Sequence, residues 1–240
     1  AEGRGNTSFA TKKHRAPKRA TSGSMGQRLR LELELKTVAD VGLIGYPNAG
    51  KSSLLSVLSK AQPKIANYPF TTLRPYVGVV DLEDPTAEPF TIADLPGLVR
   101  GAHQNIGLGH SFLRHVERTK VLVFVVDIAG SEGRDPMHDL MSLKEELDLY
   151  LPGLSQRAAL IVANKIDLEG SEVGLELFQA DLRTQSAVHM RDKLYNAPLV
   201  TASALKSLNI LEVKAAIREA VHRKKNERVD ARTGQSVEYD

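Results

Sequence analysis

The chain has 240 residues, of which 42% are hydrophobic and 25% charged, with a formal net charge of +3 and a pI near 9.0. These values exclude wholesale disorder and a fibrous repeat, and they permit a polyanionic partner without requiring one. No apolar run approaches the about 20 residues needed to cross a bilayer, and the absence of cysteine removes disulfides, thiolate metal sites and cysteine nucleophiles, leaving a reducing interior compartment as the default.

The first residue is Ala rather than Met, so a processed or excised piece is expected, and no signal peptide is visible. Residues 1–27 are rich in Gly, Ser, Thr, Lys and Arg, including KKHRAPKRA at Lys12 to Ala20, and read as an extended basic arm. That charge run is either a solvated segment or a contact for RNA phosphates. Leu29, Leu31, Leu33 and Leu35 alternate with charged residues, the period of a half-buried strand.

A nucleotide domain is expected over residues 28–225. Val41 to Ile44 reads as a strand, and the Gly-rich turn after it opens a helix through Leu54, Leu55 and Leu58. Tyr76 to Leu82 and Phe90 to Ala93 are strands whose connection is too short for a crossover helix, so they pair antiparallel. Val121 to Val126, Ala159 to Ala163 and Pro198 to Thr201 are further buried strands. Helical patterns at Ser111 to Arg118, Met137 to Tyr150, around Leu175 to Lys193, and from Ile210 to Val221 separate them. The alternation predicts an α/β P-loop fold of the Ras-like kind, with a mostly parallel six-stranded sheet, one antiparallel strand and helices on both faces. The tail, residues 226–240 and fraying from just after Arg223, is polar.

Gly45-Tyr-Pro47-Asn48-Ala49-Gly50-Lys51-Ser52 follows a strand and begins a helix, the context a phosphate-binding loop requires. Its N–H groups, with Ser53, would converge on one anion, Lys51 would lie between the β and γ phosphates, and the Ser52 hydroxyl would bind Mg²⁺. Asp94-Leu-Pro-Gly97 closes the second hairpin strand, where Asp94 can reach Mg²⁺ through a water and the Gly97 N–H can face the γ-phosphate. In the stretch containing Phe70, Thr71 and Thr72, one threonine should coordinate Mg²⁺ and sense the γ-phosphate; Thr72 is the choice.

Asn164-Lys165-Ile166-Asp167 selects the base. The Asp167 carboxylate can accept from both the ring N–H and the exocyclic amino group of guanine, whereas adenine would leave it unpaired. Asn164 would tie the base loop to the phosphate loop, and the Lys165 stem would lie over the purine. Ser203-Ala204-Leu205 is the expected second base loop, with the Ala204 N–H donating to the guanine oxygen. ATP-dependent transfer to a small molecule is hard to reconcile with this set.

GYPNAGKSSLL, YPFTTLRP, DLPGLVRGAHQNIGLGHSFLRHVERT, DIAGSEGRDP and VANKIDL together resemble the Obg GTPases, from Leu29 to about Arg223. Even the arm is similar to the end of the glycine-rich amino-terminal domain of that family. The resemblance implies GTP/GDP and Mg²⁺ as ligands and a role late in assembly of the large ribosomal subunit, on its rRNA and ribosomal proteins. The family's optional carboxy-terminal domain is expected to be absent here, and a monomer without a membrane span is expected. GAHQN with LELKTVADVGLIGYP looks more similar to mitochondrial members, so the mitochondrial matrix is expected, with a bacterial cytoplasm as the alternative.

Hydrolysis would rest on Lys51, Thr72 and Gly97, but Leu98 stands where Ras-like proteins carry a water-orienting glutamine. Turnover should therefore be slow. Asn48 matches the position that similar potassium-activated GTPases use for K⁺; capping of the loop is the other reading. A ribosomal particle could equally complete the site. His103, Asn105, His110 and His115 read as structural or partner-contacting, and Asp127, Arg134 and Asp135 as supporting the fold. The competing functional class is a guanine-nucleotide sensing interaction module whose turnover is incidental.

Overall fold

The computed structural model describes residues 3–26, 29, 39–65, 75–81, 88–95 and 116–233. The chain divides into two compact units, Ala1–Leu35 and Lys36–Asp240.

In the first unit, the segment read as an extended arm doubles back on itself. The Arg4 N–H donates to Thr21 Oγ1 at 2.9 Å, and the Thr21 N–H returns a bond to the Arg4 carbonyl at 3.0 Å. A short 3₁₀ turn, Asn6–Phe9, lies inside that loop, and the Arg19 guanidinium sits 5.5 Å above the Phe9 ring. Of the strand expected from Leu29 to Leu35, only Leu29 lies among the described residues.

The second unit is a twisted sheet flanked by helices. Its strands are β1 (Ala39–Ile44), β2 (Lys64–Ile65), β3 (Tyr76–Val80), β4 (Phe90–Asp94), β5 (Thr119–Asp127), β6 (Ala158–Asn164) and β7 (Leu199–Ala202). Its helices are α1 (Lys51–Leu58), α2 (Pro136–Tyr150), α3 (Ser171–Val188) and α4 (Ile210–Thr233). The strand order is β2-β3-β4-β1-β5-β6-β7. β1 pairs in parallel with β4 and β5, and β5-β6 and β6-β7 continue in parallel. The β3-β4 and β2-β3 pairs are antiparallel.

Among the described residues the sheet therefore has seven strands where six were expected. The added strand is the two-residue β2, too short to produce a hydrophobic period. The other strands match their expected positions, with ends shifted by a residue or two.

Alternate residues of β5 explain why its sequence is apolar throughout. Leu122, Phe124 and Val126 belong to the core under α2 and α3, with Leu140, Leu143, Leu147 and Phe178. Val121, Val123 and Val125 belong to the opposite core under α1 and α4, with Leu54, Leu58, Val213 and Ile217. A strand covered on both faces has no polar side to show.

α2 starts where Asp135 accepts from the His138 N–H at 2.6 Å and Pro136 takes the first turn, a cap followed by a residue whose missing N–H costs nothing there. α4 corrects the expectation of a frayed tail after Arg223, since the helix runs on to Thr233. The Lys, Arg, Glu and Ala in the stretch after Arg223 are good helix formers even without the apolar stripe of the earlier turns. Arg223 pairs with Glu219 one turn earlier at 2.8 Å, and Lys225 reaches Glu88. The helix expected from Ser111 to Arg118 lies largely outside the described residues.

Candidate nucleotide site

The parallel strands β1, β5, β6 and β7 all end on the same edge of the sheet. Register pairs such as Leu43 with Asp94, and Asp127 with Asn164, put the chemistry-bearing residues in a row. The loops after these strands enclose a cleft of about 370 Å³. Gly50, Lys51, Ser52 and Ser53 form one wall, and Lys165, Asp167, Ala204 and Leu205 the other.

The phosphate loop owes its path to its glycines. A Cβ on Gly45 would stand 2.4 Å from the Val125 carbonyl oxygen, so β5 can approach only a residue without a side chain. Gly50 has φ +93 and would drive a Cβ to 2.2 Å from Asn164 Nδ2. Ala49 is buried behind the loop, and Pro47 and Asn48 are on its exposed crest.

Lys51 is only 6% exposed. Its ammonium donates to the carbonyls of Gly45 at 2.9 Å and Tyr46 at 2.8 Å. Burial pushes its pKa down to about 8, against the opposing pull of the Asp94 carboxylate. Ser52 Oγ donates to Asp94 Oδ2 at 2.5 Å. Burial raises the Asp94 carboxyl, although Ser52 and Lys51 both work the other way. Its other oxygen, Oδ1, is buried with no hydrogen-bond partner among the described residues. An unsatisfied buried carboxylate oxygen beside a serine hydroxyl is the hard-oxygen donor set that a magnesium ion takes, directly or through water, so these residues fit the metal.

Asn164, 2% exposed, ties three loops together. Its Nδ2 donates to the Ala49 carbonyl at 2.8 Å, and its Oδ1 accepts from the Ala204 N–H at 3.1 Å. Ser203 is fully buried; its backbone closes a turn with Leu208 in both directions, and its hydroxyl accepts from the Lys206 N–H at 3.0 Å. Leu205, by contrast, is 78% exposed at the mouth of the cleft. The Asp167 carboxylate faces the same cleft with no hydrogen bond to any described residue. It is available for a ligand's donors.

The loop after β5 contributes contacts that residue patterns did not reveal. Lys165, with φ 68, donates to Asp127 Oδ2 and to Ser131 Oγ, each at 2.8 Å. Burial raises the Asp127 carboxyl, but the bonds from Lys165 and Ser131 outweigh it and hold it below the ordinary carboxylate range. Asp127 thus acts on the site by stretching the Lys165 stem along its floor. Glu132 accepts from Asn48 Nδ2 at 2.5 Å, and the Arg134 guanidinium lies 4.2 Å above the Tyr46 ring. The DIAGSEGRDP segment therefore straps both the phosphate loop and the base loop. Phe70, Thr71, Thr72, Gly97, Leu98, His103, Asn105, His110 and His115 lie outside the described residues.

No helix among the described residues is long and apolar enough to cross a membrane. In fold, the chain is similar to Era from Aquifex aeolicus bound to GDP·AlF₄⁻, with a TM-score of 0.54 at 23% identity, covering 76% of this chain and 56% of that one. It is also similar to nucleolar GTP-binding protein 1 from Plasmodium falciparum, with a TM-score of 0.55 at 20% identity over 81% of this chain and 92% of that one. In sequence it is 54% identical over 177 residues to GTPase Obg of Acetivibrio thermocellus, 74% of this chain and 41% of that protein. To GTPase Obg of Ruminiclostridium cellulolyticum it is 48% identical over 206 residues, 86% of this chain and 47% of that protein. The chain spans less than half the length of these curated relatives. The family model described as "50S ribosome-binding GTPase" matches residues 40–165, more than half of the chain and both walls of the cleft up to Lys165. The chain belongs to this family of GTPases, in which the curated relatives described above are Obg proteins.

Proposed function

We propose that this chain is the guanine-nucleotide switch of a factor that binds and slowly hydrolyses GTP while acting, as a monomer, on the precursor of the large ribosomal subunit. The observation that carries the nucleotide reading is Asn164, which joins the phosphate loop to the Ser203-Ala204-Leu205 loop and leaves the Asp167 carboxylate open to the cleft. The ribosomal target rests on the family description and on the resemblance of the sequence to Obg proteins.

The chain's own groups supply most of the electrostatics. Lys51, held over the loop carbonyls, can swing its ammonium to the β and γ phosphate oxygens as negative charge develops there. Ser52 and Asp94 would hold Mg²⁺, which when bound neutralises charge on the same oxygens. Thr72 and Gly97 are assigned the γ-phosphate contacts by sequence alone. Leu98 cannot orient a water molecule, so hydrolysis is slow until something else completes the site.

Two sources of completion are open to test. Asn48 can offer a K⁺ ion its carboxamide oxygen, because Glu132, which only accepts, takes the amide nitrogen. The ribosomal particle is the other source. Leu98 also favours a second reading, in which nucleotide occupancy sets partner binding and turnover is incidental. Single-turnover GTP hydrolysis with and without large-subunit precursors separates them. Acceleration by the precursor supports the timed factor, and no acceleration by any particle supports the sensor.

For the compartment, the similarity of GAHQN and LELKTVADVGLIGYP to mitochondrial members supports the mitochondrial matrix, with a bacterial cytoplasm as the alternative. Fractionation of the source cells decides between them.

A further inference from the structure

The nucleotide cleft occupies the C-terminal ends of the parallel strands. At the opposite ends of β5, β6 and β7 lies a second concavity of about 260 Å³. β5 has nine residues, and at about 3.3 Å per residue it sets the two sites roughly 25 Å apart.

The wall of this groove carries Lys120 at the start of β5, Arg157 just before β6, Lys193 before β7, and Arg223 and Lys224 on α4, and among the described residues no carboxylate lines it. The cations are held in different ways. Lys120 pairs with Asp40 at 2.5 Å, and Arg223 with Glu219 at 2.8 Å. Arg157 Nη1 donates to the carbonyls of Glu117 at 2.6 Å and Thr119 at 3.0 Å. Those bonds fix the guanidinium in place but leave its charge without a carboxylate among the described residues. The Lys193 ammonium makes no hydrogen bond or ion pair with any described residue, although its backbone N–H donates to Gln156 Oε1 at 3.0 Å.

Five cations in one concave wall, with the Arg157 guanidinium fixed by carbonyls rather than by a carboxylate and the Lys193 ammonium paired with no described residue, favour a polyanion. Among the described residues no aromatic side chain lines the groove, so they offer no surface on which to stack a base, and the donors suit phosphate oxygens. Its apolar lining among the described residues is limited to alanines, Val121 and Pro198, none of them large enough to insert deeply into a lipid layer.

We propose that this groove binds the phosphodiester backbone of RNA, independently of sequence and of the nucleotide cleft. The choice of RNA rests on the ribosomal reading above, while the anion-binding groove itself does not.

The test is fluorescence anisotropy of labelled 15-nucleotide RNA with the full chain over a range of KCl concentrations, with GDP binding measured in the same samples. Combining Lys193→Gln, Arg223→Gln and Lys224→Gln removes exposed or half-exposed charges far from the cleft. The expected result is a roughly tenfold loss of RNA affinity at about 50 mM KCl and a shallower salt dependence, with GDP affinity unchanged. Arg157→Gln, checked for folding by its GDP affinity, should weaken RNA in the same direction. A parallel variant with Lys12, Lys13, Arg15, Lys18 and Arg19 all changed to Gln isolates the amino-terminal segment. RNA affinity lost only in that variant and unchanged in the groove variant would overturn the proposal. So would displacement of the RNA by polyglutamate as readily as by unlabelled RNA, which would point to an acidic protein segment. Failure of the switch reading shows differently, as no GDP binding by the parent chain.

Discussion

Asn164 Nδ2 and the Ala49 carbonyl are joined by a buried 2.8 Å hydrogen bond across 115 positions of sequence. The same side chain accepts from the Ala204 N–H, so its removal strands two buried backbone groups. Asn164→Ala should cost about 3 kcal/mol of stability, at roughly 1–3 kcal/mol for each group left unsatisfied. Thermal unfolding would record this, and GDP affinity should fall roughly tenfold or more as the two loops lose their common anchor.

Gly50 tests the same junction from the other side. Gly50→Ala places a methyl 2.2 Å from Asn164 Nδ2 and should by itself destabilise the protein about as much as Asn164→Ala. The double variant should cost clearly less than the sum, because the clash and the bond involve one amide. Gly45→Ala meets the Val125 carbonyl at 2.4 Å instead, a backbone atom that no trimming removes. It should be the more damaging change in unfolding experiments, with no rescue by Asn164→Ala.

Asp167 is expected to carry base selection. Asp167→Asn exchanges an acceptor pair for one donor and one acceptor, so GTP should lose about three orders of magnitude in affinity. Xanthosine triphosphate, whose ring carries an oxygen in place of guanine's amino group, should gain. Competition against labelled GDP would measure both, and unchanged preference for guanine would remove Asp167 from the base site.

Lys51 makes a pH-dependent prediction. Its folded pKa of about 8 lies below its ordinary value of 10.5. Between those values the unfolded chain holds the proton and the folded chain does not, so the contribution of this group to stability rises with pH across that window. Below pH 8 the cost of the buried charge is fully present. Phosphate oxygens favour the ammonium, so GDP binding should take up close to one proton at about pH 9 and almost none at about pH 7. Its affinity should therefore fall as pH rises past 8, which calorimetry in buffers of different ionisation enthalpy would show.

Asn48 and the monovalent cation can be read from rates. If its carboxamide oxygen holds K⁺, turnover in KCl should exceed turnover in NaCl at equal ionic strength, and Asn48→Ala should erase the difference. Equal rates in the parent chain would leave Asn48 as a cap of the loop tied to Glu132.

The site was legible in sequence where local order suffices. Gly45 to Ser52, Asp94, and Asn164 to Asp167 each sit at or just past the end of a strand, and a parallel sheet brings consecutive strand ends to one edge whatever the loops between them contain. The cross-ties were not legible. Glu132 meets Asn48 across 84 positions, and Arg134 covers Tyr46, because the loop after β5 curls back over the phosphate loop, and no short-range pattern encodes that curl. Asp127 was read as a supporting residue, yet its carboxylate fixes the Lys165 stem. The strand at Lys64 and Ile65 escaped for a different reason. Two exposed residues in a ladder with β3 satisfy backbone pairing without leaving any hydrophobic alternation.

That short strand has a consequence for how other molecules can hold this domain. Among the described residues the sheet tapers from the nine-residue β5 to outermost strands of two and four residues. Outermost strands this short offer an incoming chain little ladder to extend, which disfavours self-association through them. A partner must instead be recognised by side chains and loops.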